Sequence, residues 1–379
     1  YILSRENDQI REDFSFGEIQ LNFGQLEQGS SRVAKDMLQL SFILKDMKGS
    51  MVDHATFIDS TDININLGAV SVDMKVEVIE EGFGASLRSI FSGVEYSGTS
   101  QIPRGVTNEI NGESLALGRS NAAVLTYNTG NTQILYTGSE RKFTLNSTSK
   151  NGSMLSDTAE VGVRLRSDML EWDVSMNGSS LPSPVGFSLN HLAYGAKLPI
   201  LASLEEQGFS LKFELEGLDL TPTIWDIFDP MEVFARGKFT AKLDMQGFVR
   251  LLKDYVLFEM EELNDFPEYI ELLSIALNEF VVSGLGTKIS AEGALAFDNE
   301  DYQTFSGIPR PSGSMRLRLK GMDELLNKIG KLGYFSSEEI MGARMLMGMF
   351  SVPIGKGEVE ADLRIDDVGS IYANGQRIK

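Results

Sequence analysis

The sequence predicts a mainly β (α+β) fold: a long curved antiparallel sheet with short amphipathic helices, built from strand–glycine bend–helix units. Three observations carry this expectation: period-two alternation over much of the chain, an approximate repeat in its second half, and one well-specified capped helix.

The alternation is plainest in Phe209-Ser-Leu211-Lys-Phe213-Glu-Leu215-Glu, where four apolar side chains fall on one face of a strand and the other face is wet. It recurs at Phe239, Ala241, Leu243 and Met245, at Met315, Leu317 and Leu319, and at Val359, Ala361, Leu363 and Ile365. Earlier stretches read alike: Val161, Val163 and Leu165, then Leu170, Trp172, Val174 and Met176. Strands wet on one face belong to antiparallel sheets.

The repeat is a strand closed by glycine and a large apolar residue. Gly208 to Gly217-Leu218, Gly237 to Gly247-Phe248 and Gly313 to Gly321-Met322 share it. After each, the period lengthens toward a short helix, over Thr223–Phe228, Val249–Tyr255 and Asp323–Ile329. Chance likeness among strands of one sheet produces the same pattern, and both readings stand. The capped helix begins at Ser336, whose spacing to Glu339 is that of a capping box, with Phe335 and Ile340 at the staple positions. It runs to Phe350, before Pro353, and carries Met341, Met345 and Met349 on one stripe. A core position is expected for that stripe, although methionine also suits adaptable apolar surfaces.

A length of 379 residues fits one large β-rich domain or two unequal ones. Composition suggests three segments: 1–98 with N-terminal antiparallel strands, 99–182 rich in Ser, Thr, Asn and Gly, and the β-rich half 183–379. Asn128-Thr-Gly130-Asn131 reads as a turn beside the strand Ile134-Leu-Tyr136, and Ser179–Pro184 as a linker.

Charge and cysteine content exclude function classes. With 34 basic against 54 acidic residues the formal charge is −20, which repels nucleic acid and anionic headgroups; no nucleic-acid partner is expected. Such acidity is expected to serve solubility or to reflect a salty habitat rather than to mark a basic partner. The absence of cysteine removes disulfides, thiolate metal sites and thiol nucleophiles. No apolar run reaches the ~20 residues of a transmembrane span. Tyr1-Ile2-Leu3-Ser4 opens without an initiator methionine, as expected of a processed product, and shows no signal peptide.

Motifs for chemistry are sparse. His54 and His191 are the two histidines, and no Gly-x-Ser-x-Gly elbow accompanies them: Gly84-Ala-Ser86-Leu and Gly208-Phe-Ser210-Leu lack the second glycine. His54 reads as a surface histidine in a polar loop. Two histidines fall short of a zinc site unless carboxylates join them. Gly82-Phe-Gly84 and Gly284-Leu-Gly286 lack the remaining glycine of a dinucleotide fingerprint and read as β-bends. Asp298-Asn-Glu300-Asp301 and Asp59-Ser-Thr-Asp62-Ile-Asn64 offer oxygen ligands suited to calcium without EF-hand order, and read as solvated turns. Of the Asn-x-Ser/Thr triplets at Asn146, Asn151 and Asn177, the two with Asn-Gly read as turns. No catalytic, cofactor-binding or metal-ligating residue is assigned, and no cofactor is expected.

Several ordered blocks carry a resemblance. They are Leu181-Pro-Ser-Pro-Val185; Gly217-Leu-Asp-Leu-Thr-Pro-Thr-Ile-Trp225-Asp-Ile-Phe-Asp229-Pro230; Phe297-Asp-Asn299; Ser306-Gly-Ile-Pro309-Arg-Pro311-Ser-Gly313; Met341 to Phe350; and Ala373-Asn374-Gly375-Gln376-Arg377. From Ser180 onward the chain resembles an exported alphaproteobacterial family catalogued as domain of unknown function 2125. Phe234-Ala-Arg-Gly-Lys238 departs from it, where a proline-containing segment is expected after the Asp-Pro block. The resemblance implies a cleaved signal and a periplasmic or otherwise exported protein, and it brings no catalytic residues. Each block also has a structural reading: Asp229-Pro230 a turn, Trp225 core, Asn374-Gly375 a tight hairpin turn.

The expected function is that of a non-enzymatic exported envelope protein whose curved sheet presents an apolar face, with Phe213, Leu243 and Leu317, to a lipid-like ligand. The strand–bend–helix pattern resembles bacterial β-groove lipid-handling proteins at the level of fold alone. The alternative is a structural or assembly protein that docks on a larger envelope complex through its sheet edges. A hydrolase acting through carboxylates stands third.

Overall fold

A computed structural model of the chain describes residues 2–6, 9–24, 37–55, 58–78, 83–103, 109–110, 113–114, 120–139, 141–159, 162–253, 269–333 and 335–379. The fold is mainly β, as the alternation predicts: a long antiparallel sheet that is not closed, with three short helices among the described residues. The chain forms two compact units: Tyr1–Glu160, Leu165–Leu192 and Leu220–Ile224 in the first, and Val161–Arg164, Ala193–Asp219 and Trp225–Lys379 in the second.

The first unit is made of long strands: β1 (Ile2–Glu6), β2 (Gln9–Gly24), β3 (Met37–Ala55), β4 (Ile58–Val78), β5 (Phe83–Pro103), the small pair β6 (Glu109–Ile110) and β7 (Glu113–Ser114), β8 (Ser120–Thr137), β9 (Lys142–Ala159), and most of β10 (Gly162–Gly178) with the start of β11 (Val185–Pro199). Neighbours in the order β1-β2-β3-β4-β5-β8-β9 pair antiparallel.

The apolar pattern of these strands changes phase halfway. One cross-strand row is Phe14–Gly49–Ile65–Tyr96–Leu125–Met154; another, past the midpoint, is Ile19–Leu44–Val70–Phe91–Gly130–Ser149. The two sets are out of step by one residue, so in straight strands they face opposite sides. A left-handed residue corrects the phase in four of the strands: Asp46 (φ 53) in β3, Gly93 (φ 56) in β5, Asn151 (φ 47) in β9 and Glu171 (φ 47) in β10. Contacts across this crease show that both sets share a face. Phe91 packs edge-on against Tyr127 at 5.2 Å, and the Tyr127 hydroxyl bonds Ser149 Oγ at 2.9 Å. Phe91 pairs Gly130, which lies three residues from Tyr127 in β8; in an unbroken strand that spacing puts the two rings on opposite sides.

Two sequence expectations fail here for one reason. Asn128–Asn131 is not a turn but lies inside β8, and Asn151-Gly152 is not a turn but lies inside β9. Their glycines sit beneath aromatic rings: a Cβ at Gly130 falls 2.9 Å from the Phe91 ring, and one at Gly152 falls 2.1 Å from the Tyr127 ring. Gly49 stands likewise under Phe14, at 2.5 Å. Glycine in a strand opposite an aromatic residue lets the ring lie flat across the backbone. Asn177-Gly178 does close β10, and Ser179–Pro184 is the short connection from β10 to β11, with Leu181 N donating to Gly178 O at 3.0 Å. Of the remaining readings, Gly84 lies in β5, whereas Gly82 and Val161 fall outside the described residues.

The second unit contains the end of β11, β12 (Gln207–Leu220), most of α1 (Pro222–Phe228), β13 (Phe239–Leu251), β14 (Ile270–Gly284), β15 (Thr287–Asp298), β16 (Arg310–Lys320), α2 (Met322–Leu332), α3 (Ser337–Phe350), β17 (Val352–Gly355), β18 (Glu358–Ile365), β19 (Ile371–Ala373) and β20 (Gln376–Arg377). Pairing runs β12-β13-β14-β15-β16-β18, with β17 and β19 also on β18 and β20 on β19. Asn374 (φ 49) with Gly375 (φ 82) makes the tight hairpin turn read from sequence, and Leu285 (φ 55) with Gly286 (φ 80) turns the chain from β14 into β15 where a β-bend is expected.

Two copies of the repeat fold as expected. Gly217 (φ 68) breaks the β12 ladder ahead of α1, and Gly321 (φ 72) precedes α2. The middle copy does not: Gly247 lies within β13 under the Phe209 ring, and Val249–Leu251 is strand. Leu252 and Lys253 form a bend, and residues 254 and 255 lie outside the described residues. Trp225 anchors the core at 2% exposure, stacked on Phe239 at 5.7 Å and edge-on to Phe228 at 5.8 Å. The buried Asp229 carboxylate accepts from Val233 N (2.8 Å) and Phe234 N (2.6 Å), which fixes the Asp-Pro turn.

Helix α3 carries the expected capping box: Glu339 N donates to Ser336 Oγ (3.2 Å) and Ser336 N to Glu339 Oε2 (2.8 Å). The core position expected for its methionine stripe is corrected. Met341, Met345 and Met349 are 68, 61 and 60% exposed. The less exposed stripe is Ile340, Ala343, Met347 and Phe350. The helix is apolar on both sides, so periodicity alone does not say which side faces in.

Candidate functional site

The three residues read as an apolar face, Phe213, Leu243 and Leu317, lie on three strands of the second unit and in a single cross-strand row. Phe213 pairs Leu243, Leu243 pairs Phe280, Phe280 pairs Ala291, Ala291 pairs Leu317, and Leu317 pairs Ala361. Directly opposed residues in an antiparallel sheet project to the same side. Five inter-strand steps of about 4.8 Å make the row roughly 24 Å long. Flanking rows continue the face, Leu215–Ala241–Val282–Ile289–Leu319–Val359 on one side and Leu211–Met245–Leu277–Gly293–Met315–Leu363 on the other.

Phe280 and Ala291 escape a reading by strands because β14 is out of phase within itself. Leu277 and Phe280 are three apart, and a bulge at Asn278 brings both to the apolar side. The extra residue is held by Asn278 Nδ2 donating to Asp244 Oδ1 at 3.0 Å. The face is open in part: Phe213 is 38% and Val282 40% exposed, and Leu243, Phe280 and Leu317 are half-buried.

The reverse side of the same strands is charged. Lys242 bonds Glu214 (2.6 Å) and Glu216, contacts that hold its ammonium above the usual lysine range. Asp244 pairs Lys212 at 2.8 Å, and bonding from Lys212, with Asn278, holds its carboxyl below the usual range. Arg318 pairs Glu360 at 2.7 Å and Arg316 pairs Glu292 at 3.2 Å. A shallow groove of about 440 Å³ lies beside the bulge, with Asp244, Asn278, Ser290, Arg316 and Arg318 in its lining. In the first unit a second groove, of about 620 Å³, is lined by Phe23, Leu40, Met74 and Leu87 together with Asp73 and Arg88.

Each histidine is engaged by an aspartate. His54 is not in a loop but in β3, where the ladder reaches to Ala55; its Nε2 meets Asp62 Oδ2 at 2.9 Å, and Asp62 also accepts from Thr99 Oγ1 at 2.8 Å. His191 Nε2 meets Asp168 Oδ1 at 3.1 Å. The segment 59–64 is correspondingly strand β4 rather than a solvated turn, with Asp62 occupied as described and the Asp59 side chain outside the described residues. Asp298 and Asp301 do flank a turn, and both bind Arg310, at 2.5 and 3.4 Å. The Thr304 hydroxyl and backbone amides hold the Asp301 carboxyl below its usual range.

No helix among the described residues is long and apolar enough to cross a membrane. No protein family, no curated protein and no solved structure matches the chain.

Proposed function

We propose that this is a non-enzymatic exported envelope protein, resident in the periplasm and related to the family its sequence blocks resemble, and that it holds a lipid-like apolar ligand on the apolar face of the second unit. The observation that carries the reading is the continuous row Phe213–Leu243–Phe280–Ala291–Leu317–Ala361, half-exposed and backed by a reverse side rich in charged residues. An acyl chain suits such a surface in both chemistry and size. Its length of roughly 24 Å exceeds the ~15 Å that one leaflet's hydrocarbon occupies.

The magnitudes are adequate. Each buried methylene contributes about 0.8 kcal/mol, so ten contribute about 8 kcal/mol, above the low end of the ~4–15 kcal/mol cost of association. A net charge of −20 disfavours an anionic headgroup, so neutral or zwitterionic lipids are the expected ligands. Organic extraction of natively purified protein, followed by mass spectrometry, tests this. Near-stoichiometric neutral or zwitterionic lipid is expected. Its absence favours the alternative, docking on an envelope complex through sheet edges.

A further inference from the structure

Strand β2 leaves most of one edge unpaired. β3 runs along its other edge from Gln9 to Gly24, whereas β1 covers the outer edge only from Gln9 to Asp13. Beyond Asp13 no strand among the described residues meets that edge, and every residue from Ser15 to Gly24 except Ile19 is exposed. Phe16, Leu21 and Phe23 are 47, 49 and 57% exposed.

A free edge offers its N–H and C=O groups to any extended chain, and proteins blunt such edges with lysine, proline, bulges or short length. The second unit does so: β17 holds Pro353, and β20 is two residues long and carries Arg377. Phe14–Gly24 has no lysine, arginine or proline and no left-handed residue. Its single charge, Glu18, lies 3.8 Å from Lys45 Nζ on the neighbouring strand. An edge left so open is suited to being covered.

The sequence of the edge identifies what covers it. The phase change of the first unit falls between Phe16 and Ile19, so Phe14, Phe16, Ile19, Leu21 and Phe23 share the apolar side. A second copy laid antiparallel about a two-fold axis between Gly17 and Glu18 sets Phe14 against Leu21, Ser15 against Gln20 and Phe16 against Ile19. Opposed residues project to the same side, so apolar meets apolar and polar meets polar on both halves. The phase change lies on the axis, which keeps the two copies in step through it. Moving the axis onto Glu18 sets Phe14 against Asn22, Ser15 against Leu21 and Phe16 against Gln20, and the match is lost. Each Glu18 faces the other copy's Gly17, so no like charges stand directly opposite.

We propose that the free edge of β2, from Phe14 to Leu21, pairs with the same edge of a second copy of this chain, about a two-fold axis between Gly17 and Glu18. The contact is isologous, with each copy giving the same segment. This inference does not depend on the ligand face of the second unit. A ladder roughly 24 Å long makes a small interface, so the association is reversible.

Sedimentation velocity of the full chain is expected to show a monomer–dimer equilibrium that shifts with concentration. Phe16→Lys with Leu21→Lys, at an unchanged circular dichroism spectrum, is expected to weaken the dimer about tenfold or more. The register is read by cysteine, which the chain lacks. In Glu18→Cys the two thiols stand one diagonal step apart, within the ~4.4–6.8 Å Cα separation of a disulfide. In Asn22→Cys they stand about 30 Å apart. Mild oxidation is expected to link the first variant into covalent dimers and to leave the second unlinked. A parent protein that stays monomeric at every concentration overturns the proposal, since the edge is then bare or covered by something else. So does a dimer that survives the two lysines, or equal cross-linking at positions 18 and 22.

Discussion

The two units meet one problem, keeping apolar side chains on a single face of long strands, in different ways. In the first unit the phase is reset at left-handed residues in four of the strands, Asp46 in β3, Gly93 in β5, Asn151 in β9 and Glu171 in β10. The registers of β3 with β4 and of β8 with β9 keep the same offset on both sides of these residues. In the second unit the phase is reset one strand at a time, by the bulge at Asn278 in β14 and by Gly217 in β12. Such a reset preserves strands of up to 21 residues. Single bulges suit the shorter strands of 11 to 15 residues in β12 to β16, where a helix or hairpin soon follows. A broken alternation in sequence is therefore not always a turn.

The largest effect that sharpens this comparison belongs to the second unit. Trp225→Ala removes its most buried side chain and is expected to cost about 3–5 kcal/mol, read from urea unfolding. A loss of under about 1 kcal/mol means the aromatic cluster with Phe228 and Phe239 is not what holds that unit.

The crease predicts a smaller and more discriminating effect. Asn151 sits at φ 47, where a β-branched residue is strained. Asn151→Val is expected to cost about 1–2 kcal/mol, and Asn151→Gly to stay within about 0.5 kcal/mol. Equal costs for the two variants contradict a left-handed residue there and, with it, the shared apolar face.

Legibility from sequence followed the same division. Phe209–Leu215 and Met315–Leu319 are unbroken alternations within single strands, and they predict both the strands and the side that Phe213 and Leu317 occupy. The capping box of α3 was legible because its partners are three residues apart. At Gly130, Gly247 and Asn151 sequence and structure differ because glycine and asparagine give one local signal for two situations, a turn and a mid-strand site. What separates the situations is a partner on another strand: Phe91 over Gly130, Phe209 over Gly247. Phe280 stayed hidden because the bulge that turns it inward depends on Asp244, 34 positions earlier, holding Asn278. The exposed side of the methionine stripe is not legible in sequence because both sides of α3 are apolar.

The most direct test of the account is a charge placed on each face of the same sheet. Leu243→Glu puts a carboxylate in the apolar row, while Ser290→Glu puts one on the reverse side, in the groove with Arg316 and Arg318. Both proteins are purified natively, checked for an unchanged circular dichroism spectrum, and extracted for lipid quantified by mass spectrometry against the parent protein. The account predicts that Leu243→Glu loses the retained lipid and that Ser290→Glu keeps it at the parent level. Lipid retained equally by both variants contradicts the apolar row as its binding surface.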